Sequence, residues 1–70
     1  MSITGVALEL VGMDGNAFSI LGRAGRVLKD YDRENDTTLY KEHYEAYQEE
    51  ATSGDYDNLL RVTMRYFECD

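Results

Sequence analysis

Tyr66-Phe67-Glu68-Cys69-Asp70 ends the sequence, and the reading of this stretch decides the fold. Two aromatics followed by alternation to Cys69 suit a short strand, whose side chains point to opposite faces in turn. Laid beside a strand at the N-terminus, it gives a small α+β domain of order β-α-α-α-β. Three helices then pack on a two-stranded sheet formed by the N- and C-terminal strands. If the last helix instead runs to the end, the domain is mainly helical with one N-terminal strand. The alternation favours the strand.

Working outward, Ser2 to Val11 reads as the first strand. Val6, Leu8 and Leu10 alternate with Ala7, Glu9 and Val11, the period of two expected of a pleated element. Its second face is mixed, so it is either covered on both sides or paired in a dimer. Gly12-Met13-Asp14-Gly15-Asn16 is a turn, and Asp14 or Asn16 can cap the helix that follows. Ala17, Ile20, Leu21, Ala24, Val27 and Leu28 form that helix's apolar stripe, with Arg23, Arg26, Lys29 and Arg33 pointing away. Gly22 and Gly25 lower helix propensity by up to about 1 kcal/mol each relative to alanine. Such a cost suggests close approach to another backbone, with the helix tight on the sheet.

Asp30 to Asp36 reads as a polar connection, broken at Asn35-Asp36-Thr37-Thr38. Asp36 or Thr37 then caps a second helix to Ala51. Its apolar face is tyrosine-rich, with Tyr40, Tyr44, Tyr47 and Ala51 at helical spacing and Leu39, His43 and Ala46 beside them. Gly54 suits the left-handed position after this helix. Asp55 caps a third helix whose interior is filled by Leu59, Leu60, Val62, Thr63 and Met64.

A chain of 70 residues makes one domain with a marginal core. One cysteine rules out an internal disulfide and fits a reducing compartment. Good helix packing or homo-oligomerisation is left to stabilise it. With no basic leader and no long apolar run, the expectation is a cytoplasmic protein that does not meet a membrane.

The charge is lopsided. Ten of the fourteen carboxylates and five of the six tyrosines fall between Asp30 and Asp57, where Arg33 and Lys41 are the only bases, a formal −8. The whole chain carries −7. Direct nucleic-acid binding is not expected, because a phosphate backbone is gripped by Lys and Arg through counterion release.

The residues offer little chemistry. His43 is the single histidine, so a metal site or general base has no second imidazole. Cys69 reads as a small apolar strand residue rather than a nucleophile. Asp30, Asp32, Glu34 and Asp36 alternate like calcium ligands, but Asn35 and Lys41 stand where an EF-hand needs glycine and glutamate. Gly12 to Asn16 lies where phosphate loops lie, without the Gly-Lys-Ser/Thr that would make it one. Asp55 and Asp57 suit a helix start better than acid–base work. No catalytic, cofactor or metal residue is expected. Arg23, Arg26, Arg61 and Arg65 form a small basic patch if their two helices are neighbours.

Two uninterrupted blocks carry a resemblance. Leu10-Val11-Gly12-Met13-Asp14-Gly15-Asn16-Ala17-Phe18-Ser19-Ile20-Leu21-Gly22-Arg23 is one. Glu49-Glu50-Ala51-Thr52-Ser53-Gly54-Asp55-Tyr56-Asp57-Asn58-Leu59-Leu60 is the other. Together they resemble a set of small uncharacterised proteins of bacteria, phages and plasmids. The resemblance implies an accessory protein of mobile elements and carries no activity or residue role. Asp30 to Gln48, between the blocks, shows least of it.

The expected function is non-enzymatic. A surface of Tyr40, Glu42, Tyr44, Glu45, Tyr47 and Glu49 would bind a basic site on a bacterial protein, in its most specific form by mimicking DNA charge. The alternative is a self-assembling small structural protein.

Overall fold

The computed structural model describes residues 2–10 and 16–69. Strand β1 is Ala7–Leu8, helix α1 is Ala17–Asn35, a π-helix spans Tyr40–Tyr44, α2 is Glu45–Ala51, α3 is Tyr56–Tyr66 and β2 is Glu68–Cys69. The two strands pair in parallel, Ala7 with Glu68 and Leu8 with Cys69. This is the β-α-α-α-β order, and the last residues leave the helix rather than extend it.

β1 is much shorter than Ser2 to Val11. The N-terminal residues have another task. The N–H of Ile3 donates to the Arg65 carbonyl (2.9 Å) and that of Thr4 to the Tyr66 carbonyl (3.0 Å). The Thr4 hydroxyl also reaches Tyr66 O, at 2.6 Å. These are carbonyls that the last turn of a helix leaves unpaired. Ile3 and Thr4 therefore cap α3, and Gly5, at φ +71°, turns the chain into the strand. Of the turn expected at Gly12 to Asn16, only Asn16 falls within the described residues. Asp14 as a cap lies outside them, and Asn16 caps α1 by accepting from the Phe18 N–H at 2.8 Å.

The core is built from β1, the three α-helices and Phe67, with Tyr40 and Tyr44 of the π-helix and Cys69 of β2 packed half-buried against it. Leu8, Ile20, Leu28, Tyr47, Val62 and Phe67 are its most completely buried large apolar side chains. Such short strands hold little alone, so helix packing carries the stability.

α1 does not stop at Asp30. It continues through the supposed connection to Asn35 and ends at Asp36, whose φ of 55° is left-handed. The extension has a purpose. It brings Asp32 beneath the start of the next helical segment, where its carboxylate accepts from the N–H groups of Leu39 and Tyr40, both at 2.9 Å. The Thr37 hydroxyl donates to the same carboxylate at 2.5 Å. The cap is thus Asp32, from the preceding helix, and not Asp36 or Thr37.

The glycines also differ from expectation. Gly54 does not take a left-handed conformation; among the described residues Gly5 is the glycine that does. The carbonyls at the end of α2 are met by side chains instead. Thr52 Oγ1 donates to Gln48 O (2.8 Å), while Ser53 Oγ (2.7 Å) and Asn58 Nδ2 (2.9 Å) donate to Glu50 O. Gly54 leaves room for Asn58, whose Cβ would lie 3.0 Å from an added Cβ. Gly25 does permit a close approach, but of rings and not of backbone: an added Cβ would stand 3.0 Å from Tyr44 Cε1 and 3.3 Å from Tyr40 Cε2. Gly22 faces open space.

Asp55 caps α3 as expected, accepting from the Asn58 N–H at 3.0 Å. Leu59, Val62 and Thr63 are buried and Leu60 partly so. Met64 is 53% exposed and does not belong to the interior.

Candidate protein-interaction surface

The segment Tyr40–Ala51 has an inner and an outer side. On the inner side, tyrosine rings run in series from surface to core. Tyr40 and Tyr44 stack, with centroids 4.7 Å apart and planes 10° from parallel. Tyr44 meets Tyr47 at 5.9 Å, and Tyr47 meets Tyr66 and Phe67 edge-on at 5.4 and 5.3 Å. Lys29 holds its ammonium 4.7 Å from the Tyr40 ring centre, a cation–π contact.

The hydroxyls show how far each ring is committed. Tyr44 donates to the Leu21 carbonyl of α1 at 2.9 Å, and burial, then the neighbouring Tyr40, raises its phenol above the ordinary value. Tyr47 is fully buried. Its hydroxyl lies 2.8 Å from Thr63 Oγ1, which itself donates to Leu59 O at 2.7 Å. Thr63's one proton is therefore taken, and Tyr47 is the donor. Burial pushes Tyr47 up to about 12. Tyr47 thus lies beneath the candidate surface, while Tyr40 and Tyr44 remain half-buried at its edge. Tyr31 and Tyr56 are exposed.

Glu50 joins α2 to α3. Its carboxylate accepts from the Tyr66 hydroxyl and lies 3.3 Å from Arg65 Nη1. The hydrogen bond to Glu50, more than burial, raises the Tyr66 phenol. Asp32 shows the opposite balance. Burial alone would raise it, but hydrogen bonds from Thr37, Tyr40 and Leu39 outweigh that and hold it below its ordinary value. The spacing of the acids in sequence gave no sign of either role, because both partners come from other elements.

The outer side carries Glu42, Glu45 and Glu49, all exposed. Glu42 accepts a hydrogen bond from the Thr38 hydroxyl. Glu45 and Glu49 have neither an ion pair nor a side-chain hydrogen bond within the described residues; the ion pairs there are Arg33–Asp30 (2.7 Å) and Arg65–Glu50. Glu45 and Glu49 lie one turn apart on α2, and Glu42 precedes them on the π-helix.

The other candidates are placed as follows. His43 is half-buried on the π-helix, and Cys69 is half-buried on β2, with Sγ 3.8 Å from the Thr63 carbonyl. Of the four arginines, Arg65 turns to Glu50. Among the described residues, no group of three His, Cys, Asp or Glu side chains is arranged to hold a metal. No described helix is long and apolar enough to cross a membrane. A cleft of about 240 Å³ lies between the starts of α1 and α3 and the end of α2, lined by Ala17, Ala51, Tyr56 and Leu59 among others. It is smaller than the roughly 300–1,000 Å³ usual for small-molecule sites. In comparisons with protein-family models, curated proteins and solved structures, the chain finds no match.

Proposed function

We propose that this chain is a non-catalytic interaction module whose acidic helix binds a basic surface on another protein. The observation that carries the reading is the ridge of Glu42, Glu45 and Glu49, whose exposed carboxylates are not neutralised by any ion pair within the described residues. The fold uses acid at Asp32 and Glu50, where it is hydrogen-bonded; it makes no such use of Glu45 or Glu49. Negative charge held at regular spacing on a rigid helix is complementary to a Lys/Arg cleft, and such fields speed association. A cleft that grips nucleic acid is the most specific form of that partner, the ridge standing in for phosphates. The resemblance to small proteins of bacteria, phages and plasmids supports a role as an accessory protein of mobile elements.

The test is affinity capture from a bacterial lysate by the wild-type chain and by a Glu42→Gln/Glu45→Gln/Glu49→Gln variant. The wild type retains a basic protein that elutes as salt rises, and the variant does not. Retention that ignores both salt and substitution would sink the charge-based reading.

A further inference from the structure

The basic residues of this chain are not scattered. Of its seven, four line three open grooves that share residues and so make one continuous face. Phe18, Gly22, Arg23 and Arg26 line the first, on α1. Gly22 and Arg26 pass into the second, together with Lys29, Tyr40 and Tyr44. Those two tyrosines continue into the third with Lys41 and Glu45. Arg23, Arg26, Lys29 and Lys41 are all exposed, and none has an ion-pair partner among the described residues. Arg33 and Arg65, by contrast, are paired with Asp30 and Glu50.

In a chain with fourteen acids, four unpaired cations on one face repel one another with no ion pair inside the fold to offset it. Among the described residues, Glu45 is the one carboxylate lining the three grooves. Aromatic rings stand among the cations. Phe18, at one end, is 83% exposed, and the Tyr40–Tyr44 stack lies further along. Lys29 is held over the Tyr40 ring, which fixes a positive charge in the second groove. At Gly22 nothing lies within 4 Å of where a Cβ would be, so the backbone is bare beside Arg23 and Arg26.

We propose that this face binds single-stranded nucleic acid, with phosphates on Arg23, Arg26, Lys29 and Lys41 and a nucleobase on Phe18. Cations that track a polyanion, with open aromatic rings between them, are how proteins grip single strands without regard to sequence. The face is long: Phe18 to Lys29 alone covers about 16 Å of helix. Its grooves adjoin rather than deepen, which suits an extended chain better than a compact anion. An acidic peptide matches the charge but offers no row of planar groups to cover Phe18. The whole-chain charge of −7 opposes such a ligand at a distance. At contact, however, affinity follows the cations that touch phosphate and the counterions they release. Arg23, Arg26 and Lys29 belong to α1 and not to the acidic helix, so the face stands whether or not a basic partner exists.

Fluorescence anisotropy of a labelled oligothymidylate of about eight nucleotides tests it, with wild type, Arg26→Gln, Phe18→Ala and Glu45→Gln. The wild type binds, and its affinity falls about fiftyfold between about 50 and 200 mM salt, as four phosphate contacts to a single strand require. Arg26→Gln weakens binding and flattens the salt dependence. Phe18→Ala weakens it by about fivefold or more at every salt concentration. Both side chains are exposed, so both variants keep the wild-type circular dichroism spectrum. Glu45→Gln tightens binding, the opposite of its expected effect on capture of a basic protein, so the two readings fail separately. The proposal is overturned by a wild type that ignores the oligonucleotide at low salt, or by Arg26→Gln or Phe18→Ala binding as the wild type does. Polyglutamate of equal charge displacing the labelled strand as well as unlabelled oligothymidylate does would overturn it too.

Discussion

Asp32 and Glu50 belong to the same acidic stretch as Glu45 and Glu49, yet the two pairs live in different physical worlds. Asp32 accepts two backbone N–H groups and a hydroxyl, and Glu50 accepts a phenol beside a guanidinium. Glu45 and Glu49 meet solvent. The first pair closes gaps between elements. The second adds charge to a surface that is already negative. An excess of acid is therefore not one property of the chain: part of it is used by the fold, and the part left over is what a partner can read.

The contrast between an inner side that holds the structure and an outer ridge that does not can be broken by substitution. The largest effect is expected at Tyr47→Ala. Removing a fully buried ring costs about 3–5 kcal/mol, comparable to the roughly 3–5 kcal/mol a core of this size supplies. Thermal circular dichroism should show a largely unfolded chain. The same residue sets the alkaline limit. Its folded value is raised from 10.0 to about 12, so the stability it contributes is complete below its ordinary value and is lost as pH rises through the folded one. Absorbance titration should show Tyr47 ionising only as the chain unfolds.

Next is Glu50→Ala, which strips the Tyr66 hydroxyl of its acceptor. About 1 kcal/mol in urea unfolding is expected, with the exposed Arg65 contact adding little. Asp32→Asn should also lower stability, and the wild type carries a matching pH signature. Because the folded carboxyl lies below its ordinary value of 3.8, its contribution is present above that value and fades as pH falls through the folded one. The Asn variant should lack that part of the acid transition. Smallest are Glu45→Gln and Glu49→Gln, within about 0.5 kcal/mol of wild type. A large loss from either would erase the distinction.

Much of the inner side was legible in the sequence because its signals are local. Asn16 and Asp55 announce the helix starts that they cap, and the stripe from Ala17 to Leu28 states its face. The alternation from Tyr66 to Cys69 was enough to choose a strand. What escaped depends on contacts between elements. Nothing near Leu39 indicates that its cap stands seven residues back on α1, so Asp32 was read as linker. The alternation overstates the N-terminal strand, since only the folded chain shows Ile3 and Thr4 turned to the end of α3. Periodicity put Tyr40, Tyr44 and Tyr47 on one face but could not say that Tyr66 and Phe67 would cover Tyr47 alone. The exposure of Glu42, Glu45 and Glu49 was legible, because charged side chains without partners seldom bury.

The most direct test of the outer ridge is capture of a basic protein by wild type and by the Glu42→Gln/Glu45→Gln/Glu49→Gln variant, compared at rising salt. The account predicts retention by the wild type that falls steeply with salt and is absent in a variant that remains folded. Equal retention by both proteins, indifferent to salt, would contradict it.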